Sequence, residues 1–362
     1  MSIEFIGFVA SRKASETVPP EGPIVDVPYI AASARAHEAA GFDRVLVAFH
    51  STAPDSTMIA AHVAHAAPKL QLMIAHRPGF VAPTVAARQL ATLDHLTGGR
   101  IGVHIISGGD DEELKQDGDF LTKDERYART AEYLEVVKNV WTREKPFDHA
   151  GKHYRYEAAF SQVRPLQKPH IPIYFGGASD AAIKVAGRFA DIYALWGETH
   201  EQVRELINRV KGEALKHGRQ IRFSLSLRPI LAGTEEAAWK KADDILETAR
   251  ALIEKTGYKR TTPPANEGSL RLLAAAGKGV RLDKRLWTGL AALTGAKGNS
   301  TSLVGTPEQV ADALLDYYDL GISTFLIRGF DPVSDAEEYG KELIPLTRAL
   351  TTARPQKVAV QA

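Results

Sequence analysis

The chain has 362 residues, 44% of them hydrophobic, enough to bury a large core as one big domain or two. Its formal charge is +1 with acids and bases interspersed, so bulk electrostatics favour no nucleic acid or other polyanion, and the lack of cysteine removes disulfides, thiolate metal sites, iron–sulfur clusters and cysteine nucleophiles. No apolar run approaches the ~20 residues of a membrane helix, and the opening MSIEFIGFVASRK goes straight into a strand without a signal-peptide pattern, so a cytoplasmic protein is expected.

In chain order, short apolar β-rich runs alternate with helical segments. The run 3–9 is a strand, and after a Pro/Gly-rich loop the stretch DVPYIAASARAHEAAGF reads as a helix, with Asp26 at its N-cap, Pro28 in its first turn and Gly41 past its end. Strands follow at 44–49, 70–76 and 100–107, each with a helical run behind it, the fourth helix being KDERYARTAEYLEVVKNVWTRE. A hairpin insertion is expected over 147–159. The fifth, sixth and seventh strands are IPIYF, DIYAL and IRFSLSLRPIL, with helices starting near Ser179, Thr199 and Thr234. The last unit opens on a capping box of Thr306 and Gln309 around Pro307, and its strand runs 323–329. Continuously apolar strands suit a parallel sheet covered by helices on both faces. Eight βα units in one chain imply an α/β fold closed as a (β/α)8 TIM barrel in a single domain, 1–362. The stretch 257–303 breaks the repeat and is expected to form a partly helical insertion, a lid.

In such a barrel the chemistry belongs at the C-terminal strand ends and the loops after them. Those ends carry His50, His76, Arg77, His104, Ser107, Gly176, Gly177, Ser179, Trp196, Glu198, Arg228 and Arg328, more polarity than a purely stabilising face needs. At YFGGAS two glycines and a serine lead directly into a helix. Backbone N–H groups there can approach an anion, and the helix N-terminus favours phosphate; the same residues also make a tight strand-to-helix turn. His62 and His65 sit three apart on a helix without an evident third ligand, so no metal is expected, and the acidic run SGGDDEELKQDGD lacks calcium-loop spacing and reads as a solvated active-site loop. No strand ends in the lysine that a barrel aldolase would need, and no G-x-G-x-x-G follows a strand.

The stretches HRPGFVAPTVAARQLATLDHLTGGRIGVHIISG, DERYART, YFGGASDAA and LWGE occur in the order found in the bacterial-luciferase-like flavin monooxygenases, and within them the chain resembles the alkanesulfonate monooxygenases over nearly its whole length. The resemblance implies reduced FMN (FMNH2) borrowed from a separate NAD(P)H:FMN reductase, reaction with O2, and oxygenation of a small organosulfonate to sulfite and an aldehyde or other carbonyl compound, in a homodimer or homotetramer. The alternatives are a sulfone or another small non-sulfonate substrate, or a deazaflavin-dependent oxidoreductase.

By the same resemblance, Gly176, Gly177, Ala178 and Ser179 belong to the FMN phosphate site, Arg126 and Tyr127 to its phosphate and lid side, and His104 and Ser107 to the flavin ring and ribityl chain. Trp196 matches a tryptophan walling the active site. Because both end barrel strands, His50 or His76 is expected near the reacting flavin edge, donating to a developing oxyanion. Three departures stand out. Ala53 replaces a cysteine after strand two; Ser226 and Arg228 replace an arginine and a histidine in strand seven; and Phe330, with Asp331 and Pro332 behind it, replaces a tyrosine and a histidine after strand eight. The anion site would then be rebuilt from Arg228, Lys297 and Arg328, unless the two strand-end arginines pair with core carboxylates such as Glu198.

Overall fold

The computed structural model describes residues 3–256, 264, 266–352 and 354. Eight parallel strands close into a barrel: β1 (Glu4–Phe8), β2 (Arg44–Val47), β3 (Gln71–His76), β4 (Ile101–Ile105), β5 (Ile173–Gly176), β6 (Ile192–Trp196), β7 (Arg222–Leu227) and β8 (Ile322–Ile327). Each pairs with its sequence neighbours, and β8 closes on β1 with Thr324 opposite Glu4. The (β/α)8 expectation therefore holds, with the hairpin Phe147–Ala150 and Arg155–Ala159 inserted before β5.

Side-chain alternation along the strands divides the barrel into two cores. Ile6, Met73, Tyr174, Ile192 and Leu326 fill the interior. Their strand neighbours Phe5, Leu72, Ile74, Phe175 and Phe325 turn outward into the larger core shared with the helices. There Trp141 donates its indole N–H to the Ala87 carbonyl at 2.9 Å, tying helix Lys123–Thr142 to helix Pro83–Leu96. Truncating that buried ring to Ala would cost about 3–5 kcal/mol. The expected caps are present: Asp26 accepts from the Tyr29 N–H, Thr306 and Gln309 form the capping box, and Ser179 and Thr199 cap the helices after β5 and β6. Among the described residues no helix is long and apolar enough to cross a membrane.

Two expectations need correction. The seventh strand does not run through to 231. Pro229 has no N–H to donate, so β7 stops at Leu227, and Ile230–Leu231 pairs instead with Ser302–Gly305. The acidic run after β4 is not an irregular loop, because Asp110 caps a short helix, Asp111–Gln116.

Of the stretch 257–303, residues 257–263 and 265 lie outside the described residues. The remainder forms helix Glu267–Lys278, two short strands at Arg281–Leu282 and Leu286–Trp287, and helix Gly289–Thr294. These strands join Ser302–Gly305 and Ile230–Leu231 in a small second sheet. Beside it lies a separate apolar cluster of Ile230, Ala238, Ala242, Ala249, Trp287, Leu290, Val304 and Phe330.

Candidate active site at the C-terminal end of the barrel

At the end of β5 the chain must turn into helix Asp180–Phe189 with little room. Gly177 adopts φ +125°, a conformation that suits glycine. A Cβ there would come within 2.8 Å of the Tyr127 hydroxyl and 2.9 Å of Ala182 Cβ. The Tyr193 hydroxyl donates to the Gly177 carbonyl, and Ser179 accepts from the Ala182 N–H at 3.3 Å. This fixes a bare backbone junction at a helix N-terminus, with Tyr127 standing beside it. Burial pushes the Tyr127 phenol above its usual range, partly opposed by its hydrogen bond with Ser179, so it stays a neutral donor. Arg126, expected on the same side, is buried. It donates to Asp111 at 2.7 Å and to the Leu121 carbonyl, so its charge is committed to the helix after β4.

His104 stands next to this junction across the β4–β5 pair, since a Cβ on Gly176 would lie 3.9 Å from its Cε1. Its Nδ1 is buried without a protein partner, and burial pushes its pKa down to about 4. The ring is therefore neutral at pH 7. Such an orphaned polar atom carries a desolvation cost that a bound ligand would remove. Ser107 shares a 3.1 Å bond with the Thr130 hydroxyl, which itself donates to the Arg126 carbonyl at 2.8 Å. Thr130 has one proton to give, so Ser107 is the donor in this pair and its lone pairs stay available.

The two histidines expected at the reacting edge separate. His76 falls on the outward parity of β3, with Leu72 and Ile74, and its Nε2 meets the Tyr133 hydroxyl of helix Lys123–Thr142 at 2.6 Å. It packs between strand and helix rather than facing the barrel interior, and that part of the expectation is withdrawn. His50 lies at the mouth, 54% exposed, with Nε2 3.8 Å from Glu113. Glu113 also accepts from the Ser51 N–H at 3.0 Å and from buried Arg77 at 2.9 Å, which fastens helix Asp111–Gln116 across the ends of β2 and β3.

On the opposite side the strand-end arginines are neither both free nor paired with Glu198. Glu16, in the loop after β1, takes both of them. Its Oε2 lies 2.8 Å from Nη1 of Arg228, and its Oε1 accepts from Nη2 of Arg328 at 3.1 Å. Burial alone would raise the Glu16 pKa, but the two guanidiniums outweigh it and hold the carboxyl down to about 2. Arg228 is wholly buried. It donates to the Gly329 carbonyl at 2.9 Å and lies 3.7 Å over the Phe330 ring, so it cannot act as a free anion ligand. Arg328 is 28% exposed and keeps Nε and Nη1 without a hydrogen-bond partner among the described residues.

Above the ends of β4 and β6, helix Glu267–Lys278 closes part of the mouth. Gly268 packs on Trp196, where a Cβ would lie 3.1 Å from the indole, and the Asn266 amide donates to the Gly109 carbonyl at 3.3 Å. Arg271 holds this helix down by donating to Glu198 at 2.8 to 3.0 Å and to Glu205 at 2.7 Å. Glu198 is thus the anchor of this helix. Lys297 is partly buried in the same insertion, four residues before Thr301, whose hydroxyl donates to the Gly197 carbonyl. Sequence patterning missed Glu16 and Glu113, because neither belongs to a periodic run.

Bare backbone at a helix N-terminus after β5, an unsatisfied neutral histidine beside it and an insertion packed on Trp196 together put groups able to hold a ligand at this end of the barrel. Residues 3–324 match the luciferase-like monooxygenase family, and the protein belongs to that family. Its fold is similar to riboflavin lyase (RcaE), solved with modified FMN and riboflavin, at TM-score 0.79 and 20% identity over 97% of this chain and 92% of that one. It is likewise similar to EDTA monooxygenase (EmoA) from Chelativorans sp. BNC1, at 0.78 and 20% over 97% and 94%. An F420-dependent secondary alcohol dehydrogenase, solved with an F420-acetone adduct, shares the fold at 0.69 and 17% over 96% and 99%.

Proposed function

We propose that the protein is the oxygenase of a two-component system. It takes FMNH2 from a separate NAD(P)H:FMN reductase and uses O2 to oxygenate a small organosulfonate. The observation that carries the flavin reading is the β5 junction, where Gly177, Ala178 and Ser179 expose backbone at a helix N-terminus beside the Tyr127 hydroxyl. Reduced flavin bound there supplies the two electrons needed to activate O2.

The chain's own groups would then divide the work. The amides of 177–179 and Tyr127 receive the phosphate, Ser107 accepts from a ribityl hydroxyl, and neutral His104 offers Nδ1 toward the ring. Trp196 and helix Glu267–Lys278 keep water out, and His50 donates at the mouth. In the overall reaction one oxygen atom enters the aldehyde and the other leaves as water. The C–S bond breaks, and sulfite departs with the bonding pair. Arg328, with two donor positions open, is the cation best placed for the sulfonate head; Arg228 supports it from behind through Glu16. Lys297 remains a candidate for closing over that head.

The test is an anaerobic FMNH2 titration followed by turnover with a flavin reductase, NAD(P)H and a panel of alkanesulfonates. Tight FMNH2 binding and substrate-dependent sulfite release are expected. Oxygenation of a sulfone without sulfite from any sulfonate would overturn the substrate reading. A tightly held deazaflavin in the purified protein would overturn the cofactor reading.

A further inference from the structure

The Glu16 carboxylate sits between two arginines that come from different strand ends, and this arrangement has a chemical meaning beyond holding a loop. At the strand ends two guanidiniums and one carboxylate leave a single positive charge, counted before Lys297 of the insertion closes over the site. The nearby pair Lys13 and Asp331, 3.5 Å apart, cancels itself, while Asp335 is committed to the N–H groups of Phe330 and Asp331. His37, which lines the same region, is buried and neutral. A cavity of about 20 Å³, room for about one water, lies against the cluster, lined by Phe8, Ser15, Arg228, Arg328 and Gly329 among others, so a larger anionic head would meet Arg328 on its exposed side. Arg228 and Glu16 are buried, so charge mismatch there is weakly screened.

Resting on the oxygenase reading above, we propose that Glu16 is a specificity-determining residue: it reduces the two-arginine site to one net positive charge, so that Arg328 takes a monoanionic head such as a sulfonate and rejects an isosteric dianion such as a phosphonate. Arg228 fixes the carboxylate in place. It is itself held by the Gly329 carbonyl and the Phe330 face, so the filter is set by charge count and not by a movable side chain. The Ser15 and Thr17 hydroxyls both donate to the Phe330 carbonyl, which holds the loop carrying Glu16 against the end of β8.

The experiment compares an alkanesulfonate with the alkanephosphonate of the same chain length at about pH 8.5, where a phosphate-type group is dianionic. Binding is measured by calorimetry on the full-length protein, without turnover. The unsubstituted protein should favour the sulfonate by at least tenfold. Glu16→Gln, which raises the site to two net charges, should shift the sulfonate-to-phosphonate ratio at least tenfold toward the phosphonate, and Glu16→Asp should restore the original preference. Arg328→Gln leaves a neutral Arg228–Glu16 pair and should abolish binding of both anions; it serves also if Glu16→Gln does not fold. An unchanged ratio in folded Glu16→Gln, sulfonate binding kept by Arg328→Gln, or no preference in the unsubstituted protein would overturn the proposal. Because no step depends on flavin, a shifted ratio with no sulfite formed would leave the charge filter standing and remove the desulfonation reading alone.

Discussion

The Tyr127 hydroxyl occupies the space that any side chain at Gly177 would need, 2.8 Å from the position of a Cβ there. The two residues define one surface, a backbone ridge with a phenol beside it. Gly177→Val must displace Tyr127 or Ala182 and also force a branched residue into φ +125°. We expect FMNH2 affinity to fall at least tenfold, about 1.4 kcal/mol, with a stability loss of about 1–3 kcal/mol. Unchanged flavin affinity in a folded variant would move the phosphate elsewhere.

Glu16 also makes the fold acid-sensitive in a defined window. Its carboxyl sits at about 2 in the folded protein against 4.5 ordinarily, so the folded state binds this proton less well than the unfolded chain. The stabilisation is complete above about 4.5 and is lost as pH falls toward about 2, amounting to about 3 kcal/mol at most. The Tm difference between the unsubstituted protein and Glu16→Gln should narrow over that interval. A constant difference would contradict the buried carboxylate.

The buried histidines act over a higher range. His37, His76 and His104 are each pushed down to about 4 by burial, from 6.5. The unfolded chain takes up protons below 6.5 while the folded protein does not, so stability should decline as pH falls from about 6.5 to about 4. Imidazole resonances of these three residues should titrate only near pH 4. A midpoint near 6.5 for His104 would mean that its ring is solvated.

Arg271 offers a test of the lid anchor. Arg271→Met leaves Glu198 buried without its cation, which should cost about 3 kcal/mol. Amide exchange in helix Glu267–Lys278 should accelerate more than exchange in the barrel strands. In turnover, O2 consumption should rise relative to product as water gains access over Trp196. Equal acceleration across the barrel would mean that Arg271 holds the whole fold rather than the lid.

The barrel was legible in the sequence because most units carry their own local instructions: an apolar run, a capping Ser, Thr or Asp, and a Gly or Pro at the boundary; helix Pro83–Leu96, with Ala82 at its N-cap, relies on its proline instead. The β5 junction was legible for the same reason, its two glycines and serine being adjacent in the chain. What escaped was long-range. Glu16 lies in a Pro/Gly-rich loop with no periodicity, and its partner Arg328 is 312 positions away. His76 was assigned by its place at a strand end, whereas the pleat, which reverses with every residue, decides which side of the wall it faces. Pro229 carried a readable signal, since a proline inside a run argues against an unbroken central strand, and it marks where β7 hands over to the second sheet.

Phe330 belongs to two neighbourhoods at once. Its ring is part of the apolar cluster beneath the insertion, with Trp287, Leu290 and Val304, and its face carries the guanidinium of Arg228. A change of side-chain volume at Leu290 or Ala242 that tilted that ring would reach Arg228 and, through Glu16, Arg328. On the proposed reading of Arg328, divergence need not touch the mouth of the barrel at all: drift in the packing of an accessory lobe would alter the cation that the site presents.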